Sequence, residues 1–198
     1  VNMDSSDFYV ILGKKLRARR RTKHMTLGDL SKKLNKSVAT ISKYEKGEVL
    51  ISIDTLVDIC QILNIDIASL LPITSTDKSA AEIVRYQNYF SDKLYLYWFN
   101  GEKNCLQKAV LENQNLSLTA TMYYDVDDIS NYYEANYIYE GDITYSDTCT
   151  VFILVNTKPP FDILTLRLPS IGINSKHVVG LLSTITYFYQ SIAMKVIA

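Results

Sequence analysis

Apolar residues in the first 71 positions recur at the three- and four-residue spacing of amphipathic helices. The clearest example is the face formed by Leu27, Leu30 and Leu34, which follows the N-cap residue Thr26. Together with further capping signals at Ser37 and Gly47, this spacing predicts an all-α domain of short helices. The five predicted helices cover about 7–21, 27–34, 38–46, 53–63 and 66–71.

From residue 93 onward the pattern changes to runs of bulky and β-branched residues, which are typical of strands. The predicted strands are 94–99, 108–112, 116–125, 132–145, 149–156 and 163–168, with a turn at Asn100-Gly101. Residues 177–198 fit a helix or two strands, and their Val, Ile, Thr and Tyr content favours strands. The pattern predicts a mainly antiparallel β domain of about five to eight strands, as a twisted sheet, a sandwich or a small barrel.

A polar stretch that begins with Pro72 separates the two patterns. Residues 72–79 have the composition of a linker, and 79–92 are predicted to form a connecting helix with apolar Ile83, Val84, Tyr86 and Phe90. Of 15 tyrosines, 13 follow residue 71, so the composition changes at the same place. We therefore predict a multi-domain chain, with a helical domain at 1–71, a linker and connecting helix at 72–92, and a β-rich domain at 93–198.

The charges are distributed unevenly, although 21 Lys and Arg balance 21 Asp and Glu. Up to residue 71 the chain has 12 basic and 8 acidic residues, whereas the remainder has 9 and 13. Between residues 13 and 46, all 12 of those basic residues are accompanied only by Asp29 and Glu45. This asymmetry is typical of a polyanion-binding module joined to a second domain, but a solvated helix face produces the same pattern.

The second and third predicted helices are separated by a turn of three residues, and the third is polar on its outer face. This is the arrangement of a helix-turn-helix motif. The strings Thr26-Leu27-Gly28-Asp29-Leu30-Ser31 and Ser37-Val38-Ala39-Thr40-Ile41-Ser42-Lys43-Tyr44-Glu45-Lys46-Gly47 resemble the XRE family of helix-turn-helix regulators. That family includes phage repressors of the lambda and Cro type. The resemblance covers about residues 8–71 and implies a five-helix, lambda-repressor-like DNA-binding fold.

The resemblance implies a role for each matching residue. Ser37 to Thr40, with Lys43, would face the base edges of the major groove, and Thr26 would lie against phosphates. Arg20 and Glu45 match an ion pair that is structural in many family members. The full predicted DNA-binding set is Arg17, Arg21, Thr26, Lys36, Ser37, Val38, Ala39, Thr40, Ser42 and Lys43.

Two positions depart from the family pattern. Leu27 stands where the family often has Gln, so one expected phosphate or base contact is missing. Asn35-Lys36 stands where the turn often has Gly-Val, and Lys36 is expected to supply a phosphate contact instead. The small hydroxylated residues of the third helix leave the preferred DNA sequence undefined.

The resemblance implies a cytoplasmic transcriptional regulator, which we expect to be a repressor that binds operator DNA. One recognition helix makes few contacts, so a homodimer on a near-palindromic operator is expected. The β-rich domain would sense a small-molecule or protein effector, and its tyrosines would line a pocket or pack a core. The alternative is a DNA-binding protein whose β-rich domain serves only dimerisation or a protein partner, as in an antitoxin or a phage immunity factor.

The sequence provides little support for an enzyme. No nucleophile elbow, phosphate-binding glycine loop or His-Glu-x-x-His motif is present, so we predict no catalytic residue, no metal site and no cofactor. The sequence has no apolar run long enough for a membrane helix, and no membrane association is expected. Cys60, Cys105 and Cys149 are widely spaced and indicate reduced cytosolic thiols. We expect Cys105 and Cys149 to be buried, inert thiols, with redox switches as the alternative.

Overall fold

In the computed structural model, the chain divides into two compact units, Val1–Pro72 and Ile73–Ala198. The structure describes residues 5–70, 80–101, 103–114, 117–156, 162–170, 177–185 and 191–198. The predicted linker at 72–79, the first residue of the predicted strand at 116–125 and residues 186–190 of the C-terminal segment lie outside the described residues.

The first unit is helical, as predicted. Its described residues form α1 (Ser5–Thr22), α2 (Leu27–Leu34), α3 (Val38–Lys46), α4 (Ile53–Leu63) and α5 (Ile67–Leu70). The side chains of Thr26, Ser37 and Ser52 cap α2, α3 and α4 by accepting a hydrogen bond from the backbone N–H three residues later. Gly47 ends α3 with φ +72°, a left-handed conformation that glycine adopts without strain.

The core of the first unit is formed by the apolar faces of α1 to α4. Its most deeply buried side chains are Leu12, Leu16, Leu30, Ile41, Ile59 and Leu63. Gly13 lies where α1 crosses the end of α3, and a Cβ atom there would be 2.5 Å from the carbonyl oxygen of Tyr44. The absence of a side chain at Gly13 therefore allows the backbone of α1 to touch that of α3.

The described residues of the second unit form a closed, eight-stranded antiparallel barrel. Its strands are β1 (Lys93–Asn100), β2 (Cys105–Gln114), β3 (Thr119–Tyr124), β4 (Tyr137–Tyr145), β5 (Cys149–Asn156), β6 (Ile163–Pro169), β7 (Val179–Ile185) and β8 (Ser191–Ile197). Each strand pairs with the next in sequence, and β1 pairs with β8 at Tyr97 and Ile197 to close the barrel. Of the three predicted β architectures, the structure is thus the small barrel, and the C-terminal segment forms strands as expected.

Side chains of alternate strand residues fill the barrel, as expected for a small closed sheet. The buried set includes Leu96, Ala109, Met122, Ile143, Phe152, Leu154, Leu166, Leu182 and Val196. At Gly141 a Cβ atom would be 2.0 Å from the carbonyl oxygen of Ile153, so the tight approach of β4 to β5 requires glycine. Tyr139 and Tyr145 belong to this buried core, and Tyr124 packs against it.

The predicted connecting helix is α6 (Ala80–Tyr89), and it belongs to the second unit. Tyr86 stacks on Phe90 with ring centroids 4.8 Å apart, and Phe90 meets the edge of Phe152 inside the barrel at 6.1 Å. Helix α6 therefore covers the end of the barrel where β1 begins. Val84, expected on the apolar side of this helix, is 57% exposed, so that assignment is wrong because only one narrow face of α6 contacts the barrel.

The predicted strand at 132–145 is wrong over its first residues. Residues Ile129–Glu134 form a short 3-10 helix, and the strand begins only at Tyr137. The hydroxyl groups of Tyr132 and Tyr133 both donate to Glu112 Oε1, at 2.6 and 2.8 Å, on the outer side of β2. These tyrosines cover the outer face of β2 and β3, a tertiary interaction that outweighs their preference for strands.

Cys105 and Cys149 are less buried than expected. Cys60 is buried in the first unit, whereas Cys105 is exposed at the start of β2 and Cys149 is half-buried. The expectation that Cys105 is a buried thiol is therefore wrong, because it lies at the edge of the barrel beside a turn. Burial, with a smaller effect from Asp66, raises the pKa of the Cys60 thiol to about 11.

Candidate nucleic-acid interface

The amino-terminal end of α2 is fixed by a reciprocal cap between Thr26 and Asp29. Thr26 Oγ1 accepts from the backbone N–H of Asp29 at 3.1 Å, and Asp29 Oδ2 accepts from the backbone N–H of Thr26 at 2.9 Å. Hydrogen bonds from Thr26 hold the pKa of Asp29 below its usual value. Thr26 itself is exposed, so its position at a helix amino terminus suits a phosphate contact.

A tight turn then carries the chain from α2 into α3. Asn35 adopts a left-handed conformation with φ 51°, and the backbone N–H of Lys36 donates to the carbonyl oxygen of Ser31 at 3.0 Å. Ser37 Oγ accepts from the backbone N–H of Thr40 at 3.0 Å and starts α3. The turn that replaces the Gly-Val of the family pattern is therefore closed by Asn35, and Lys36 lies half-buried beside it.

Helix α3 has one buried and one exposed face. Ile41, Tyr44 and Glu45 are buried against the rest of the unit. The opposite face begins with Ser37, Val38 and Ala39 and continues through Thr40, Ser42 and Lys43; of these, Thr40 and Ser42 are half-buried and the other four are exposed. Val38 is 48% exposed, and its apolar side chain is suited to contact with a thymine methyl group. The structure thus places six of the predicted DNA-binding residues on one face.

The basic residues of α1 divide into two kinds. Arg17 and Arg21 are exposed, whereas Arg19 and Arg20 are buried. The run of arginines therefore serves both the surface and the interior, and only Arg17 and Arg21 are exposed to solvent.

Arg20 and Glu45 form the buried pair that the resemblance implies. The Nε–Oε1 distance is 2.6 Å and the Nη2–Oε2 distance is 2.8 Å, so the guanidinium and the carboxylate meet through two parallel hydrogen bonds. Arg20 Nη1 also donates to the carbonyl oxygen of Met25 at 2.6 Å. The pair joins α1, α3 and the segment before α2, and the contact with Met25 could not be predicted from sequence spacing.

Two of the comparisons with known proteins cover about the length of the first unit. Residues 16–70 match the family model of a helix-turn-helix domain, HTH_3, and this segment is a helix-turn-helix domain of the XRE type. The clp gene regulator ClgR from C. glutamicum is 28% identical over 32% of this chain and 82% of its own, with a TM-score of 0.31. No curated protein sequence matches the chain.

Two further solved structures align over most of the chain but at low similarity. The iron(II) form of HppE is 12% identical, covers 96% of this chain and 90% of its own, and has a TM-score of 0.31. The apo form is 13% identical, covers 96% and 97%, and has a TM-score of 0.32. All three TM-scores are low, so the assignment of the first unit depends on the family model and on the geometry of α2 and α3.

Two further observations concern the described part of the chain as a whole. None of its helices combines the length and the hydropathy needed to cross a membrane. Its His, Cys, Asp and Glu side chains form no group of three close enough to hold a metal ion.

Proposed function

We propose that the chain is a sequence-specific, DNA-binding transcriptional regulator that acts as a repressor in the cytoplasm. The observation that carries this proposal is the exposed face of α3 from Ser37 to Lys43, presented by a capped turn within a segment that matches a helix-turn-helix family model. Small hydroxyl groups and Val38 allow the helix to approach base edges closely. We propose no catalytic residue for this function.

Phosphate contacts would hold α3 in the major groove. Arg17 and Arg21 on α1, Lys43 on α3 and Lys36 in the turn supply positive charge, and Thr26 adds the amino-terminal end of α2. Glu45, the acidic residue of α3, is buried with Arg20 and so does not face the DNA. Asp29 is the exposed acidic residue of α2, so the positive charge that would meet the phosphates comes from Arg17, Arg21, Lys36 and Lys43.

We also propose that the regulator binds DNA as a homodimer. A single α3 contacts few base pairs, so specific binding is expected to need two copies. Apolar residues after α3 support this proposal, because Val49, Leu50, Ile53 and Val57 are all exposed, Ile53 to 78%. A group of apolar side chains that are exposed to solvent is typical of a surface that another protein covers.

The barrel is proposed to sense a ligand and to alter DNA binding. The alternative, a barrel that serves only dimerisation or a protein partner, is supported by a second observation. Ile153, Ile163, Val179 and Leu181 are exposed on the outer faces of β5, β6 and β7. A ligand that changes operator affinity would favour the first proposal, and loss of self-association after substitution of these residues would favour the second.

Selection of DNA from a random library by the purified full chain tests the proposed function. We expect enrichment of near-palindromic sites whose halves are about 10 base pairs or a multiple apart. Sedimentation of the chain with the selected DNA should give two copies per site, and a reporter promoter that overlaps the site should be silenced. Failure to enrich any sequence would overturn specific DNA binding, a monomer on the site would overturn the dimer, and increased transcription would overturn repression.

A further inference from the structure

The end of the barrel opposite α6 carries a cluster of aromatic rings. At this end β1, β3 and β5 finish and β2, β4 and β6 begin. The ring of Tyr124 stacks on Trp98 with a centroid distance of 5.0 Å and an interplanar angle of 28°. Tyr139 and Tyr137 meet the same ring edge-on at 5.7 and 6.4 Å. We call these four residues the mouth cluster.

Two carboxylates, those of Asp125 and Asp162, adjoin the mouth cluster. Asp125 directly follows Tyr124, and Asp162 accepts a hydrogen bond from the hydroxyl of Tyr139. Both carboxylates act on Tyr124: burial is the largest cause of its raised pKa, about 12, and the charges of Asp125 and Asp162 come next. The ring at the centre of the cluster thus has two carboxylates among its neighbours.

The two carboxylates are not equally neutralised. Asp125 accepts from Gln107 Nε2 at 3.0 Å and lies 3.8 Å from the ammonium group of Lys103, whose side chain is exposed. Asp162 is half-buried, and its partners among the described residues are neutral donors: Tyr139, Asn156 at 3.5 Å and Thr184 at 3.0 Å. The charge of Asp162 is therefore solvated by hydrogen bonds but not paired with a described cation.

The orientation of the rings is fixed in advance. Gln107 Oε1 accepts from Trp98 Nε1 at 3.0 Å and from Asn100 Nδ2 at 2.8 Å, while the Gln107 amide donates to Asp125. This network holds Trp98 against Tyr124. A site whose side chains are already positioned loses less entropy when a ligand binds.

We propose that the mouth cluster, with Asp162, binds an organic cation such as an alkylated ammonium group. The negative faces of aromatic rings attract a cation, and the Asp162 carboxylate supplies the opposite charge that the neutral donors do not. An anionic ligand would be repelled by both carboxylates, and a purely apolar one would bring no counter-charge to Asp162, whose partners among the described residues are neutral. The inference deepens the proposed sensing role of the barrel and names the chemistry of the effector.

Trp98 is the only tryptophan in the sequence, so its fluorescence reports directly on the mouth cluster. We would titrate the full chain with choline and with n-butylammonium, using 3,3-dimethylbutan-1-ol as a neutral compound of the same shape as choline. A saturable change of Trp98 fluorescence with at least one cation, and a much weaker response to the alcohol, is expected. No saturable change with either cation, or equal binding of the neutral alcohol, would overturn the proposal.

Two variants test the assigned residues. Asp162→Asn and Tyr124→Leu should each weaken cation binding by about tenfold, the scale of losing one well-placed charge or ring. Asp142→Asn, on an exposed position of β4 away from the mouth, is the matched control and should bind as the parent chain does. Far-UV circular dichroism checks that each variant folds. If Asp162→Asn does not fold, Tyr124→Leu alone tests the site. A folded variant that binds the cation with unchanged affinity would contradict the assigned site.

The binding site and the sensing role fail in different ways. If choline binds at the mouth cluster but leaves the affinity for selected operator DNA unchanged, the cation-binding site is supported and the sensing of choline is contradicted. If no operator is found, the DNA-binding proposal fails, but the Trp98 titration still shows whether the mouth cluster binds an organic cation.

Discussion

The guanidinium group of Arg20 and the carboxylate of Glu45 form a buried, two-bonded ion pair, with contacts of 2.6 and 2.8 Å. Both side chains are more than nine-tenths buried, so neither charge is solvated by water. The pair fixes α1 relative to α3, and therefore fixes the helix that we propose to contact DNA. Loss of one partner would leave the other as an unpaired buried charge.

Replacing Arg20 by Met is therefore expected to destabilise the first unit by about 3–5 kcal/mol. Urea unfolding of the full chain, followed by far-UV circular dichroism, measures the change, and Trp98 fluorescence follows the second unit in the same samples. Lys46→Met is the control, because the Lys46–Glu48 pair is exposed and should be worth less than about 1 kcal/mol. Equal effects of the two substitutions would contradict a structural role for Arg20.

Gly13 provides a second test of how α1 packs on α3. In Gly13→Ala the new Cβ atom would lie 2.5 and 2.6 Å from the carbonyl oxygens of Tyr44 and Glu45, so the two backbones must move apart. We expect a loss of about 1–3 kcal/mol in the free energy of unfolding. Gly28→Ala is the control, since its nearest heavy atom would be Thr26 Oγ1 at an ordinary 3.6 Å. Urea unfolding should separate the two variants, and a neutral Gly13→Ala would disprove the close approach.

How much of this molecule the sequence predicts depends on the range of the interactions. Thr26, Ser37 and Gly47 act on backbone groups three or four residues away, so capping rules locate the helix ends. Tyr132 and Tyr133 have strand-like composition but form a 3-10 helix, because Glu112 on another strand accepts both hydroxyl groups. The sequence pattern around Tyr132 and Tyr133 does not indicate a hydrogen-bond partner that lies 20 residues away.

The same reasoning applies to the mouth of the barrel. Asp162 meets Tyr139 across a separation of 23 residues and Thr184 across 22, and the register that joins them is set only when the barrel closes. The sequence therefore indicated a tyrosine-rich β domain without indicating which tyrosines share a site. In the first unit, a family resemblance supplied the long-range information for Arg20 and Glu45 that spacing alone lacked.

The rate of thiol alkylation should distinguish Cys60 from Cys105. Burial raises the pKa of Cys60 to about 11, so at pH 8 its thiol stays protonated and shielded, whereas Cys105 is exposed. We expect iodoacetamide to modify Cys105 in the native chain and to modify Cys60 only after unfolding in urea. Peptide mass spectrometry identifies the labelled residues. Rapid native labelling of Cys60 would show that α4 is less well packed than the structure indicates.

Salt dependence provides the sharpest test of the proposed DNA face. Lys43 is exposed on α3 and Arg17 on α1, and each is expected to neutralise a phosphate and release its counterions. Lys43→Ala and Arg17→Ala should each weaken binding to the selected operator and lower the slope of log affinity against log salt by about 0.9 per lost contact. Val38→Ala should instead change the preferred base sequence and leave the slope unchanged, because an apolar side chain releases no counterion. Lys195→Ala, on an exposed position of β8 in the second unit, is the matched control. Parent-like affinity and slope for both basic variants would show that DNA does not lie against this face of α1 and α3.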